Sequence, residues 1–180
     1  IRAQDLPTAE EVAARDWSTY QGKILRMTLD GAIPPDNPVL GGARSHIFSY
    51  GLRNVQGLSF GPTGLLYASE HGPSSDDEID LIQAGKNYGW PHVAGFNDDR
   101  GYVYAKWSAS APAPCASLTF NNLNPPPSVP QARESSWQHP DFAPPLATLF
   151  TAPAGYDFAA SGSTTIGPGS IEVYTSAAIP

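Results

Sequence analysis

Cysteine is nearly missing from this sequence: Cys115 stands alone in 180 residues, which excludes an internal disulfide and any metal cluster built on several thiolates. Long apolar runs are missing too. No stretch approaches the roughly 20 residues needed to cross a bilayer as a helix, and residues 1–15 lack the apolar centre of a secretory leader. Positive charge is sparse, with 10 Lys and Arg against 17 Asp and Glu for a formal charge of −7, so no basic surface is available to track a nucleic-acid backbone. His46, His71, His92 and His139 are scattered without metal-ligand spacing. The phosphate-binding P-loop, the dinucleotide glycine fingerprint, the metalloprotease helix and the nucleophile elbow are all absent. Nucleotide-dependent and hydrolytic classes lose ground accordingly.

Punctuation is abundant instead. Seventeen Gly and 19 Pro are more than a helical protein tolerates, and they predict short strands joined by many turns. A hydrophobic fraction of 41% supplies one ordinary core, so a single domain is expected. The opening without an initiator Met is the expected mark of a processed or truncated product.

One helix is expected near the start, where Thr8 followed by Glu11 has capping-box spacing and Val12, Ala13 and Ala14 continue it. From Lys23, Leu25, Met27 and Leu29 alternate with Arg26 and Thr28 as a half-buried strand that closes at Asp30-Gly31. Residues 47–50, 56–60, 65–69 and 78–82 are four further short apolar runs, with Gly-Pro-Thr-Gly at 61–64 as a hairpin turn. Together they predict one antiparallel unit of four strands, the size of a propeller blade. Residues 111–130 are rich in Ala, Pro, Ser and Asn and are expected to form a long irregular excursion. Residues 144–150 and 170–174 are weaker strand candidates.

The densest polar constellation lies between residues 51 and 91: Gly-Leu-Arg-Asn-Val-Gln-Gly at 51–57, Ser-Glu-His-Gly-Pro-Ser-Ser-Asp-Asp-Glu-Ile-Asp at 69–80, and Gly-Lys-Asn-Tyr-Gly-Trp-Pro at 85–91. Each segment falls at a strand end or in the loop after it, where a rigid sheet presents binding groups. Asp76, Asp77, Glu78 and Asp80 place four carboxylates in five positions beside the Gly72-Pro73 carbonyls, a hard-oxygen set that suits Ca²⁺. A solvated acidic turn is the bland alternative. The Gly of an EF-hand loop is absent. Asp98-Asp99 poses the same question again. Arg53, flanked by Asn54 and Gln56, suits a carboxylate or quinone oxygen, or else caps the sheet by bonding backbone carbonyls. His71 is either a ligand contact or a hydrogen-bonding residue of the turn. Tyr88 and Trp90 read as core or turn aromatics first.

These strings in this order, together with Gly-Lys-Ile-Leu-Arg-Met-Thr-Leu-Asp-Gly-Ala-Ile-Pro-Pro-Asp-Asn-Pro at 22–38, resemble the soluble PQQ-dependent glucose dehydrogenases and aldose sugar dehydrogenases. The likeness is dense over about residues 5–110 and thins to isolated matches afterwards. It implies an all-β fold, a portion of about two to three blades of a six-bladed β-propeller more than twice this length. It also implies Ca²⁺ and PQQ as cofactors. Gly72 and Pro73 match the pair whose carbonyls hold the cofactor calcium, and Arg53 and Asn54 match the pair on the quinone side. His71 matches a PQQ contact, Asp77 an acid near that calcium, and Thr165, in Thr-Ile-Gly-Pro-Gly-Ser at 165–170, a cofactor-contacting Thr. Glu78 and Tyr88 match ligands of one structural calcium. Ala94, Phe96, Asp98 and Glu134 match those of another, the first two through backbone carbonyls. Ser163 stands where the family carries a pocket Trp.

The resemblance implies oxidation of the anomeric hydroxyl of an aldose to a lactone. Arg53 serves as the charge-stabilising catalytic group, the aldose as substrate and an external electron acceptor closes the cycle. It further implies a periplasmic or secreted protein and leaves a homodimer open. The family's catalytic His belongs upstream of Ile1 and its PQQ-carboxylate-binding basic residues downstream of Pro180, so the chain alone is expected to be inactive. Two rivals remain: a non-catalytic calcium-binding propeller for a protein or carbohydrate partner, and a calcium-dependent lactonase, in which Arg53 and Asn54 have no evident job.

Overall fold

The structure, a computed structural model, describes residues 2–106 and 125–176. It is rich in short strands and poor in helix, an all-β chain whose elements follow from its turns. Helix α1 (Ala9–Ala13) starts at Thr8, whose hydroxyl accepts the Glu11 amide while Glu11 accepts the Thr8 amide, the reciprocal cap that the sequence predicts. Strand β1 (Lys23–Leu25) is shorter than its alternation predicts: from Thr28 the chain folds on itself through Thr28–Ala32 backbone bonds. A small hairpin, β2 (Val39–Leu40) with β3 (Ala43–Arg44), precedes β4 (Ile47–Tyr50).

Three strands then meander as one antiparallel ladder: β5 (Val55–Phe60), β6 (Leu66–Glu70) and β7 (Asp77–Ile82). The β5–β6 turn closes with Gly64 at φ +79°, its amide donating to the Gly61 carbonyl at 2.9 Å. Two short pairs remain. Strands β8 (Tyr104–Ala105) and β9 (Gln131–Ala132) join each other, and β10 (Ala147–Leu149) joins β7. A 3₁₀ turn at Glu134–Ser136 and α2 (Phe158–Ser161), capped by Asp157, complete the elements.

The strand grouping departs from the sequence reading. The four-stranded sheet runs β10-β7-β6-β5, and β4 leaves it to pair with β1. Gly51 explains the departure. It follows β4 at φ +76° and turns the chain where any Cβ would sit 2.1 Å from the Asn87 side-chain oxygen. Residues 170–174 form no strand; their backbone presses on Gly57, where a Cβ would lie 2.6 Å from the Ile171 nitrogen. Of the excursion expected at 111–130, residues 111–124 lie outside the described residues.

Two layers cover the ladder. On one face Leu66, Ala68 and Glu70 pair across to Ile82, Asp80 and Glu78, and the apolar end of that face packs on the β1–β4 pair through Ile24, Leu52, Ala68, Ile82 and Tyr88. The core sits there. A groove of about 540 Å³ between these layers is lined by Ile24, Met27, Phe48, Leu58, Phe60 and Leu66 and opens to solvent, leaving Phe60 72% exposed. Residues 163–173 cross the opposite face near Gly57 and Gly61.

Candidate functional site

The polar constellation gathers at one end of the ladder, where β6 gives way to the loop 71–76 and the β4–β5 connection carries Arg53 and Asn54. The ladder continues one step past β6, since the His71 amide donates to the Asn54 carbonyl at 3.1 Å. Beside that bond the Arg53 amide donates to Glu70 Oε1 at 2.5 Å. The Arg53 guanidinium returns from the other side, with Nη1 donating to the His71 carbonyl at 2.9 Å and its carbon 5.3 Å from the Trp90 ring centroid. A cavity of about 250 Å³ borders it, lined by Arg2, Ala3, Gln21, Gly22, Leu52 and Trp90.

His71 is held by both ring nitrogens. Nε2 lies 2.9 Å from the Pro168 carbonyl, which only accepts, so the ring proton is assigned there. Nδ1 then accepts from the Asn54 side chain at 3.4 Å, and Gln56 donates to Asn54 Oδ1 at 2.7 Å. Arg53, Asn54 and His71 therefore form one bonded group.

The loop behind them is tight because Gly72 has no side chain: a Cβ there would lie 1.7 Å from the Ser75 carbonyl oxygen. Its amide donates to Asp77 Oδ1 at 2.9 Å. Asp77 also accepts the Thr165 hydroxyl and the Ile166 and Gly167 amides, at 2.5 to 2.9 Å. Burial alone would raise this carboxyl, yet the Thr165 hydroxyl and the Gly167, Gly72 and Ile166 amides hold it below the ordinary range. The Ser163 hydroxyl and Thr164 amide both donate to the Ser74 carbonyl, at 2.6 and 2.8 Å. Residues 163–168 are thus stapled over the loop that carries Gly72 and Pro73.

The acidic turn is not solvated. Asp76, Asp77, Glu78 and Asp80 are all buried, and Glu70 joins them from β6. Glu70 and Glu78 face each other across the ladder, and both oxygens of Asp80 and Glu70 Oε2 have no hydrogen-bond partner among the described residues. Burial pushes all three carboxyls up, and the mutual repulsion of these acids adds to the shifts of Glu70 and Glu78. Asp76, held at φ +60°, is also raised by burial.

A second acidic neighbourhood forms where the loop after Pro91 meets the 3₁₀ turn. Glu134 is fully buried, accepting the Ala94 amide at 2.9 Å and the Asp99 amide at 3.1 Å. Burial, with Asp76 and Asp98 nearby, pushes its carboxyl up to about 8. Asp98 accepts the Arg100 amide at 2.9 Å and donates its own to the Phe96 carbonyl at 2.8 Å. Ala94, Phe96, Asp98 and Glu134 are therefore brought together. Glu78 joins them by accepting the Gly95 amide at 2.8 Å. The Tyr88 hydroxyl does not meet Glu78; it donates to the Leu81 carbonyl at 2.6 Å and accepts the Gln83 amide at 2.9 Å. Among the described residues, no three His, Cys, Asp or Glu side chains gather closely enough to hold a metal ion by side chains alone.

Sequence reasoning passed over Glu70, although period-2 alternation from Leu66 through Ala68 marks it as a carboxyl on the buried face. Pro168 carries no chemical signal and enters only through its carbonyl.

Residues 5–124 match the glucose/sorbosone dehydrogenase family. A quinoprotein glucose dehydrogenase B of Acinetobacter calcoaceticus is 50% identical over 157 residues, 87% of this chain and 33% of that protein. An aldose sugar dehydrogenase of Escherichia coli K12 is 51% identical over 81 residues, 43% of this chain and 22% of that one. The PQQ-bound aldose sugar dehydrogenase structure from Streptomyces coelicolor is 44% identical at a TM-score of 0.40, covering 49% of this chain and 25% of its own. The chain thus spans about a third or less of the length of these relatives.

Proposed function

Because the chain belongs to the glucose/sorbosone dehydrogenase family, we propose that it is the cofactor-facing section of a PQQ- and calcium-dependent sugar dehydrogenase, whose complete form oxidises the anomeric hydroxyl of an aldose to a lactone. The observation that carries this reading is the bonded group at the end of the ladder: Arg53 donates to the His71 carbonyl and Asn54 to the His71 ring, beside the loop that holds Gly72 and Pro73. The residues fit the cofactors. A guanidinium and an amide suit quinone and carboxylate oxygens, and the loop with its buried carboxylates is an all-oxygen donor set of the kind Ca²⁺ takes. The three oxygens of Glu70 and Asp80 that lack a hydrogen-bond partner among the described residues are costly without a cation or proton.

In this reading Gly72 and Pro73 hold the cofactor calcium through their carbonyls, with Asp77 fixing their loop. Arg53, Asn54, His71 and Thr165 hold PQQ. Glu78 and Tyr88 serve one structural calcium, and Ala94, Phe96, Asp98 and Glu134 another, Ala94 and Phe96 through backbone carbonyls. PQQ supplies the acceptor for the hydride. Arg53 contributes a fixed positive group where negative charge develops, and it is already oriented by the His71 carbonyl and the Trp90 ring before substrate arrives. His71 is held by its two partners and orients Asn54. The ladder is part of a six-bladed β-propeller, and the exposed Leu58 and Phe60 face supports this, since a blade is buried by its neighbours. A periplasmic or secreted site, an external electron acceptor and a homodimer complete the proposal.

The test uses the full-length protein, stripped by chelation and titrated with PQQ with and without calcium. Tight PQQ binding that requires calcium, followed by conversion of an aldose to its lactone with an artificial acceptor, is expected. Calcium binding without PQQ binding would replace this reading with the non-catalytic propeller.

A further inference from the structure

We propose that Glu70 is a positioning residue for Arg53, clamping the Arg53 main chain to the end of β6 so that the guanidinium meets the His71 carbonyl and the Trp90 face. The proposal rests on the functional reading above for its kinetic consequence and on geometry for the clamp itself. Glu70 is 3% exposed, and a carboxyl is not placed there without a partner. Its Oε1 accepts the Arg53 amide at 2.5 Å, while Oε2 has no hydrogen-bond partner among the described residues. Arg53 is the recipient of that clamp.

Three bonds close one small frame between residues 53–54 and 70–71. The Arg53 amide reaches Glu70, the His71 amide reaches the Asn54 carbonyl at 3.1 Å, and Arg53 Nη1 reaches the His71 carbonyl at 2.9 Å. Two are main-chain or guanidinium contacts that any sequence with Arg at 53 could make. The first needs an acceptor of the length of Glu or Gln at 70. Without it the β4–β5 connection can rotate about Arg53, and the guanidinium loses its fixed approach even though the side chain is intact.

The experiment compares Glu70→Leu, Glu70→Gln and Glu70→Asp in the full-length protein, alone and with Arg53→Ala. Hydrogen–deuterium exchange at the Arg53 amide reads the clamp without cofactor: Glu70→Leu and Glu70→Asp are expected to speed it about tenfold or more, and Glu70→Gln to keep most of the protection. With PQQ and calcium, Glu70→Leu is expected to lower kcat about tenfold with sugar KM within about twofold, and to add nothing to Arg53→Ala. Unchanged Arg53 amide exchange in both Glu70→Leu and Glu70→Asp overturns the clamp. Kinetic losses that multiply with those of Arg53→Ala overturn the positioning role. Should Glu70→Leu not fold, Glu70→Asp and Glu70→Gln decide by the same two readouts. Wild-type turnover in Arg53→Ala would instead sink the functional reading and leave the exchange result to judge the clamp.

Discussion

Asp77 and Thr165 stand 88 residues apart in sequence, yet the Thr165 hydroxyl lies 2.5 and 2.6 Å from the two Asp77 oxygens. The same carboxylate accepts the Gly72 amide, so one side chain ties the proposed calcium loop to the segment folded over it. Thr165→Val, which keeps the shape and deletes the hydroxyl, is expected to cost about 1 to 3 kcal/mol, because a buried carboxylate loses a partner. Chemical denaturation measures that loss. Calcium retention by the full-length protein should fall with it, whereas unchanged stability would make the bond incidental.

Gly72 is the position where this loop tolerates least. A Cβ would fall 1.7 Å from the Ser75 oxygen, a backbone atom that cannot swing aside. Gly72→Ala is expected to destabilise by about 2 kcal/mol or more through displaced backbone. Gly64→Ala serves as the control: its Cβ meets nothing within 4 Å, though φ is +79°, so it pays only conformational strain. Thermal melts of both variants, beside a PQQ titration of each, check the difference. Only Gly72→Ala should lose cofactor binding.

How far local pattern carries is visible strand by strand. β5, β6 and β7 fall within about a residue of their alternating runs because Gly and Pro bracket each one. Residues 144–150 also hold an expected strand, β10 at 147–149, but its pairing with β7 was not legible, since pairing of that range leaves no local trace. Likewise Arg53, Asn54 and His71 were legible as strand-end polar groups. That the Tyr88 hydroxyl turns inward to Leu81 and Gln83 was not, because a Tyr in a turn carries the same letters whichever way it rotates. Burial of the acidic turn was equally hidden: the residues covering Asp76, among them Gly95 and Gly101, lie some twenty positions away.

Those buried acids set the pH response. Glu134 rises from an ordinary 4.5 to about 8 on folding, and burial drives Glu70, Glu78 and Asp80 in the same direction. Across that window the folded chain holds protons that the unfolded chain has released. Stability contributed by them is full below pH 4.5 and is lost as pH climbs toward 8, by up to about 1.4 kcal/mol per pH unit for each proton. Asp77, lowered by its donors, works oppositely and loses its contribution only in acid, below its ordinary 3.8. Melting temperature of calcium-free protein is therefore expected to fall between pH 5 and 8. Excess calcium should flatten that decline by replacing the protons. A melting temperature that rises over the same range without calcium would mean that the acids are ionised in the apo fold.

The mechanistic prediction concerns Arg53 itself. Its guanidinium is fixed by the His71 carbonyl and the Trp90 face, so it presents charge without having to reorganise during the reaction. A preorganised positive group is worth most when charge develops, on the order of 3 kcal/mol when one such donor is removed. In the full-length protein with saturating PQQ and calcium, Arg53→Ala is expected to lower kcat about a hundredfold, while PQQ affinity falls much less because calcium and other residues also anchor it. Arg53→Lys should recover part of the rate, since it restores the charge but not the planar fork that meets both the carbonyl and the ring. Steady-state rates and a cofactor titration on the same preparations separate the two effects. If Arg53→Ala kept wild-type turnover, the guanidinium would be a cap on the end of the ladder, holding the His71 carbonyl and nothing more.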